Sequence, residues 1–256
     1  MLFTLITGAS SGIGLELAKQ FAQNGKSLIL VARSEKALQD LAQELTHQYQ
    51  IKVHVIPADL SRPEECQRLF ELCRQQNLHV ENLVNNAGVG DNAAFVETEW
   101  TRQEQMIRLN MESLTRLTHL FLPEMVQRKS GGILNVASTA AFQPGPYMAV
   151  YYATKAYVLS FSEAINAELK GSGVHATALC PGPTHSAFQA TAKMDKSKLF
   201  KMLNVPSSKD VAEFAYQSFQ KKKAVAVHGV MNKIMSLSVG VTPRFLLLKI
   251  VSFLNK

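Results

Sequence analysis

Tyr151 and Lys155, four positions apart, are the residues of this 256-residue chain best placed for acid–base chemistry. On a helix, positions i and i+4 share a face, so phenol and ammonium would be neighbours. A phenol with pKa about 10 is a poor proton donor or acceptor at neutral pH. A cation ~4 Å from the phenolate contributes up to about 4 kcal/mol at an effective dielectric near 20, or roughly three pKa units before desolvation opposes it. Taken alone, such a pair more often decorates a solvated helix face. Ser138 stands 13 positions before Tyr151, at the end of an apolar run. A strand end, a loop and a helix start can bring both hydroxyls to one carbonyl oxygen. Tyr152 is the nearest rival, but it points about 100° away around the helix and is only three residues from Lys155. Tyr147 and Tyr157 lack the four-residue relation.

The N-terminal end carries a different chemistry. Thr7-Gly8-Ala9-Ser10-Ser11-Gly12-Ile13-Gly14 follows the first apolar run directly. Glycines between a strand and a helix allow a tight turn and close backbone approach to a pyrophosphate, whose charge the helix N-terminus favours. The spacing is G-x-x-x-G-x-G, not the commoner G-x-G-x-x-G, and a tight turn alone could use the same residues. At the end of the second strand stand Val31-Ala32-Arg33-Ser34, with no acid to bond an adenosine ribose and a guanidinium that can pair with a 2′-phosphate. The alternative for Arg33 is an ordinary surface arginine. Asn110, among Met106, Ile107, Leu109 and Met111, reads on its own as a helix-surface or capping amide.

These residues need a scaffold. Apolar runs at 2–6, 27–31, 52–56, 82–84, 132–137, 174–179 and 224–227 alternate with helical patterns at 12–24, 35–49, 62–76, 98–128, 151–170 and 208–220. That alternation predicts βαβ units around a parallel sheet. Counted from Ser208 the third residue is Val211, which makes no full capping box, yet Ser207, Ser208 and Asp210 mark a helix start. With no repeat, low-complexity tract or Pro-rich linker, residues 1–256 form one α/β domain. Two segments stand outside the alternation. Residues 183–206 mix Phe188, Met194, Leu199, Phe200, Met202 and Leu203 with lysines and form the expected substrate loop. Residues 229–256 give two short apolar helical stretches parted by Gly240 and Pro243, a C-terminal helical extension.

Charge and composition narrow the function classes. The formal net charge is +7, and residues 221–256 hold seven cations and no acid, so the rest of the chain is neutral. A broad nucleic-acid-binding surface is therefore not expected. Cys66, Cys73 and Cys180 are too few for a disulfide framework, and no secretory signal precedes the first strand, which points to a reducing, cytoplasmic setting. No run of about 18 apolar residues offers a transmembrane helix. The seven histidines show no metal-ligand spacing with cysteines or acids, and His185 reads as a loop-surface residue.

Taken together, Thr7–Gly14, Asp59, Asn85-Asn86-Ala87-Gly88, Asn110, Ser138, Tyr151-x-x-x-Lys155 and Pro181-Gly182 resemble the short-chain dehydrogenase/reductase family in order and spacing, over residues 1 to about 228. The resemblance implies a single doubly wound Rossmann-type domain with a seven-stranded parallel sheet. It implies hydride transfer between NAD or NADP and a carbonyl or alcohol. It makes Tyr151 the acid/base, Ser138 the partner of the same oxygen, Lys155 the residue that lowers the tyrosine pKa and bonds the nicotinamide ribose, and Asn110 the holder of a proton-return water. The cofactor would be held by Gly8, Ser10, Ser11, Gly12, Ile13, Gly14, Arg33, Asp59, Leu60, Asn86, Ala87, Gly88, Pro181, Gly182 and Thr184, besides Tyr151 and Lys155. Asp59 would lie near the adenine amino group. A serine, Ser186, stands where the family often has threonine, and Thr184 two positions earlier offers a second hydroxyl.

The expected function is an NADP(H)-dependent oxidoreductase of a carbonyl or secondary alcohol, with NAD(H) as the second cofactor; the apolar residues of 188–203 favour an apolar substrate, or equally pack that segment against the body. The alternative is a nucleotide-binding sensor or scaffold without turnover. Partners follow from the same resemblance, which implies a homodimer or homotetramer. For the apolar stretch 244–254, burial or oligomer contact ranks first and peripheral attachment to an anionic membrane second.

Overall fold

The computed structural model describes residues 1–186, 188, 189, 192 and 205–256. Strand β1 (Leu2–Thr7) is an unbroken run whose last five residues are buried, as a strand covered on both faces requires. The chain then alternates: α1 (Gly12–Gln23), β2 (Ser27–Ala32), α2 (Glu35–Tyr49), β3 (Val53–Pro57), α3 (Pro63–Gln75) and β4 (His79–Asn85). Helix α4 (Trp100–Ile107) runs through a π-helical stretch, Arg108–Ser113, into α5 (Leu114–Arg128). After β5 (Gly131–Val136) come a 3₁₀ turn (Thr139–Phe142), α6 (Ala149–Glu168), β6 (Val174–Cys180), α7 (Ser208–Gln220) and β7 (Val225–Val227). Helices α8 (Val230–Ser238) and α9 (Arg244–Asn255) complete the fold.

All seven strands are parallel, in the order β3-β2-β1-β4-β5-β6-β7. The sheet is parallel, as the alternation predicts, and doubly wound, as the family resemblance implies. One core layer packs Leu17, Phe21, Leu38, Leu45, Val211 and Phe219 against one face, and the opposite layer packs Leu69, Cys73, Leu117 and Phe121. Cys66, Cys73 and Cys180 are buried free thiols.

Strand β4 starts three residues before the expected Asn82, because its polar residues find partners in β1 and just before β2. Lys26 Nζ meets Glu81 Oε2 at 2.8 Å, and Asn82 Nδ2 donates to Thr4 Oγ1 at 3.0 Å. The start of α7 also differs by one residue. Ser207 is the N-cap: its Oγ accepts from Asp210 N, and Asp210 Oδ2 accepts from Ser207 N, both at 3.2 Å. The full capping box that counting from Ser208 missed is therefore present, one position earlier.

The two C-terminal helical stretches stand where expected, separated by the Gly240–Pro243 break. No helix of the described residues is long and apolar enough to cross a membrane. Of the substrate-loop residues named above, Met194, Leu199, Phe200, Met202, Leu203 and the adjoining lysines lie outside the described residues.

Candidate active site

Between β1 and β4 the winding of the sheet reverses, which leaves a crevice at the carboxyl ends of these strands. Thr7 and Asn86 clasp it. Thr7 Oγ1 donates to Val84 O at 3.2 Å and accepts the N–H groups of Asn86 and Ala87, each at 3.0 Å. Asn86 Nδ2 returns to Thr7 O at 2.9 Å and Gly8 O at 3.2 Å. The glycine turn is thereby tied to the end of β4. Gly8 and Gly12 have φ of 65° and 56°, a region glycine enters without steric cost. Ser11 precedes α1 without a side-chain capping bond, so the first N–H groups of α1 have no cap from it. Open donors at a helix N-terminus beside a glycine turn fit a dinucleotide pyrophosphate.

The end of the crevice expected to take an adenosine lies along β2 and β3. Arg33 is exposed and borders the cavity with Ser34, Asp59 and Leu60. Asp59 Oδ1 is held by Ser61, from its N–H at 3.1 Å and its hydroxyl at 2.7 Å. The Leu60 carbonyl accepts from Ser113 Oγ in the π-helical stretch.

At the other end, Ser138 caps the 3₁₀ turn, accepting from Ala140 N at 3.1 Å, and its Oγ reaches Pro181 O at 3.4 Å. Tyr151, in the first turn of α6, stands beside Ser138, and both line the same cavity. Lys155 is buried one turn on, with Nζ 2.7 Å from Val136 O and 5.8 Å from the Tyr151 ring centroid. Burial raises the Tyr151 pKa above its ordinary value, and the Ser138 hydroxyl beside it only partly opposes this. Burial likewise lowers Lys155 to about 8. Desolvation thus dominates at the phenol, which keeps its proton through the neutral range.

Asn110 does not read as a surface amide once placed. It is 2% exposed: Oδ1 accepts Val89 N at 3.0 Å, and Nδ2 donates to Val89 O at 3.0 Å and Thr154 Oγ1 at 3.1 Å. It locks the segment after β4 to α6, and the π-helical widening supplies its position. Asn85 performs a parallel task deeper down, donating to Asn135 Oδ1 at 2.9 Å, while Asn135 donates to Ser162 Oγ at 2.9 Å.

A single cavity of about 940 Å³ connects the glycine turn to Tyr151. Gly8, Ser10, Ser11, Gly12, Ile13, Arg33, Asp59, Leu60, Asn86, Ala87, Gly88, Ser138, Tyr151, Lys155, Pro181, Gly182 and Thr184 all line it. Gly14 and Asn110 do not. Gly14 packs behind the turn, and Asn110 acts through Val89 and Thr154. The Thr184 hydroxyl is turned onto Gly182 O at 2.9 Å, whereas Ser186 faces the cavity beside Gly12. His185 is exposed and outside the lining.

Phe188 of the expected substrate loop lines the far wall; sequence reasoning missed the rest of that wall, Met148, Tyr152, Met235, Leu247, Ile250, Val251 and Leu254. The only signal for it was the apolar spacing of the last helix. Tyr152, the rival tyrosine, is 7% exposed and points to Asn255 Oδ1 at 3.2 Å, so it belongs to this wall.

The short chain dehydrogenase family model matches residues 3–197. The chain belongs to the short-chain dehydrogenase/reductase family. As a short-chain dehydrogenase/reductase it is an oxidoreductase acting on CH–OH groups. A very-long-chain 3-oxoacyl-CoA reductase of Anas platyrhynchos is 34% identical over 185 residues, which are 70% of this chain and 58% of that longer protein. A short-chain dehydrogenase from Sphingobium yanoikuyae, solved in complex with NADPH, matches with TM-score 0.84 and 32% identity over 94% of each chain. The bulky-bulky ketone specific alcohol dehydrogenase from Comamonas testosteroni matches with TM-score 0.79 and 29% identity, over 94% of this chain and 93% of its own.

Proposed function

We propose that this short-chain dehydrogenase/reductase is an NADP(H)-dependent oxidoreductase acting on an apolar carbonyl or secondary alcohol, with Tyr151 as the acid/base. The observation that carries the reading is the convergence of Ser138, Tyr151 and Lys155 on a cavity that begins at the glycine turn and Arg33. A nicotinamide cofactor held by that turn supplies or takes up the hydride. Tyr151 gives its phenolic proton to the carbonyl oxygen on reduction and takes it back on oxidation. Ser138 donates a hydrogen bond to the same oxygen as its negative charge develops. Lys155, when protonated, favours the phenolate left behind and returns a proton to it.

NADP(H) is favoured over NAD(H) by Arg33, which has no ion-pair partner among the described residues and stands where an acid would repel the 2′-phosphate. The solved NADPH complex of a 32%-identical relative supports the same choice. Substrate size and polarity follow from the far wall, which is built from methionine, leucine, isoleucine and phenylalanine side chains. The relatives named for acyl-CoA and bulky ketone substrates agree with a large apolar substrate. A sensor without turnover would not need Ser138, Tyr151 and Lys155 together. Assembly as a homodimer or homotetramer is proposed as well, to be measured by sedimentation. The function is tested by following NADPH and NADH consumption with long-chain, aromatic and ring ketones and aldehydes. Cofactor binding by folded protein without turnover of any of them would favour the sensor.

A further inference from the structure

Helices α8 and α9 wall the cavity and yet leave most of their apolar surface uncovered. Leu247, Val251 and Asn255 form the buried stripe of α9 at i, i+4 and i+8. Away from that stripe Phe245, Leu246, Leu248 and Ile250 are 40–66% exposed, and Val230, Met231, Ile234 and Leu237 of α8 are 56–79% exposed. Met235 and Ile250 belong to both sets: they line the cavity and are also exposed. The cavity mouth therefore opens within the apolar surface.

Charge identifies what covers it. Lys233, Arg244, Lys249 and Lys256 are exposed on the same two helices and the chain end, in a segment, 221–256, that has no acid. None of the four is ion-paired among the described residues. A second copy of the chain docking by a two-fold contact on this face would bring cations onto cations, with no acidic side chain from 221–256 to pair them. An anionic bilayer offers hydrocarbon to the leucines and phosphate to the lysines. We propose that α8 and α9 dock this protein on an anionic lipid bilayer, with the cavity mouth at the interface, so that apolar carbonyl substrates enter from the lipid. The substrate clause rests on the proposed function; the docking clause does not.

The test is co-sedimentation of the full chain with vesicles of phosphatidylglycerol and phosphatidylcholine in equal parts, and with phosphatidylcholine alone. Binding is expected to the anionic vesicles at low salt, with release at high salt as the charges are screened. Arg244→Gln with Lys249→Gln should weaken it roughly 25-fold, each cation contributing about fivefold. Leu246→Ser with Leu248→Ser should weaken it too, while circular dichroism and cofactor binding stay unchanged. Absence of binding at low salt, or equal binding by the charge variant, overturns the proposal. So does a dimer that the leucine variant dissociates, because the face then belongs to a second copy. Vesicle binding without any turnover would leave docking standing and remove the proposed function instead.

Discussion

Tyr152 Oη donates to Asn255 Oδ1 at 3.2 Å, tying the neighbour of the proposed acid to the next-to-last residue of the chain. The same asparagine donates from Nδ2 to Pro146 O at 2.9 Å, and its backbone carbonyl accepts from Asn92 Nδ2 at 2.9 Å. One residue thus pins the end of α9 to two segments that flank the site. Asn255→Ala would leave the Tyr152 hydroxyl and the Pro146 carbonyl without these partners. Unfolding in urea should show a loss of about 1–3 kcal/mol. A loss below roughly 0.5 kcal/mol, the range of an ordinary surface change, would mean that the tie is not formed in solution.

The two adjacent tyrosines should separate cleanly in activity. Tyr151→Phe removes the proton donor and should lower turnover roughly 100-fold to 10,000-fold while NADPH still binds. Tyr152→Phe removes a wall contact and should keep most of kcat. The reverse pattern in steady-state kinetics would transfer the acid/base role to Tyr152.

Burial sets the pH dependence. Tyr151 is raised, so it stays protonated through the neutral range, while Lys155 is lowered to about 8. Below about 8 the lysine is an ammonium that supports proton donation, and above it the lysine is neutral. For carbonyl reduction, kcat/KM should therefore be level near neutrality and fall as pH rises through about 8. Lys155→Arg keeps the charge and should move that limb to higher pH. A limb unmoved by the arginine belongs to another group.

The sheet was legible because most of its strands carry a short apolar run, even where, as in β4, polar residues hid one end, and the Tyr151–Lys155 pair because its i, i+4 spacing falls on one helix. Asn110 was not legible from its own surroundings: its partners Val89 and Thr154 are 21 and 44 residues away. Local pattern describes only what lies within a helical turn or two. Family spacing marked Asn110, but the bracing role came from geometry. The role of Tyr152 was hidden for the same reason, since its partner is 103 residues distant. At the C-terminus the periodicity gave both helices. It could not tell that Leu247 and Val251 face the cavity while Leu246 and Leu248 face outward.

Arg33→Ala should weaken NADPH binding and leave NADH binding nearly unchanged. A well-formed guanidinium–phosphate contact contributes on the order of 1.5–3 kcal/mol, or about tenfold to a hundredfold in affinity. Titration of both cofactors into parent and variant reads the difference directly. An equal loss for the two would make Arg33 a general surface arginine and remove the charge basis for choosing NADP(H).

Gly14 tests the turn at the glycine of the three that does not line the cavity. A Cβ there would stand 2.3 Å from both Asn86 Nδ2 and Gly8 O. Neither neighbour is a flexible side-chain tip: one is backbone, and the other is bound to Thr7 O and Gly8 O. Gly14→Ala must therefore push α1 away from the turn or break the Asn86 clasp. Either movement displaces the N–H groups proposed to face the pyrophosphate, and NADPH affinity should fall at least about tenfold, with overpacking costing roughly 1–3 kcal/mol of stability. Gly25→Ala is the comparison. Gly25 has φ of 72° with nothing within 4 Å of an added Cβ, so alanine there brings backbone strain of about 1–2 kcal/mol without touching the turn. That variant should lose stability and keep its NADPH affinity. If Gly14→Ala binds NADPH as tightly as Gly25→Ala does, close packing of α1 on the turn is not what shapes the cofactor site.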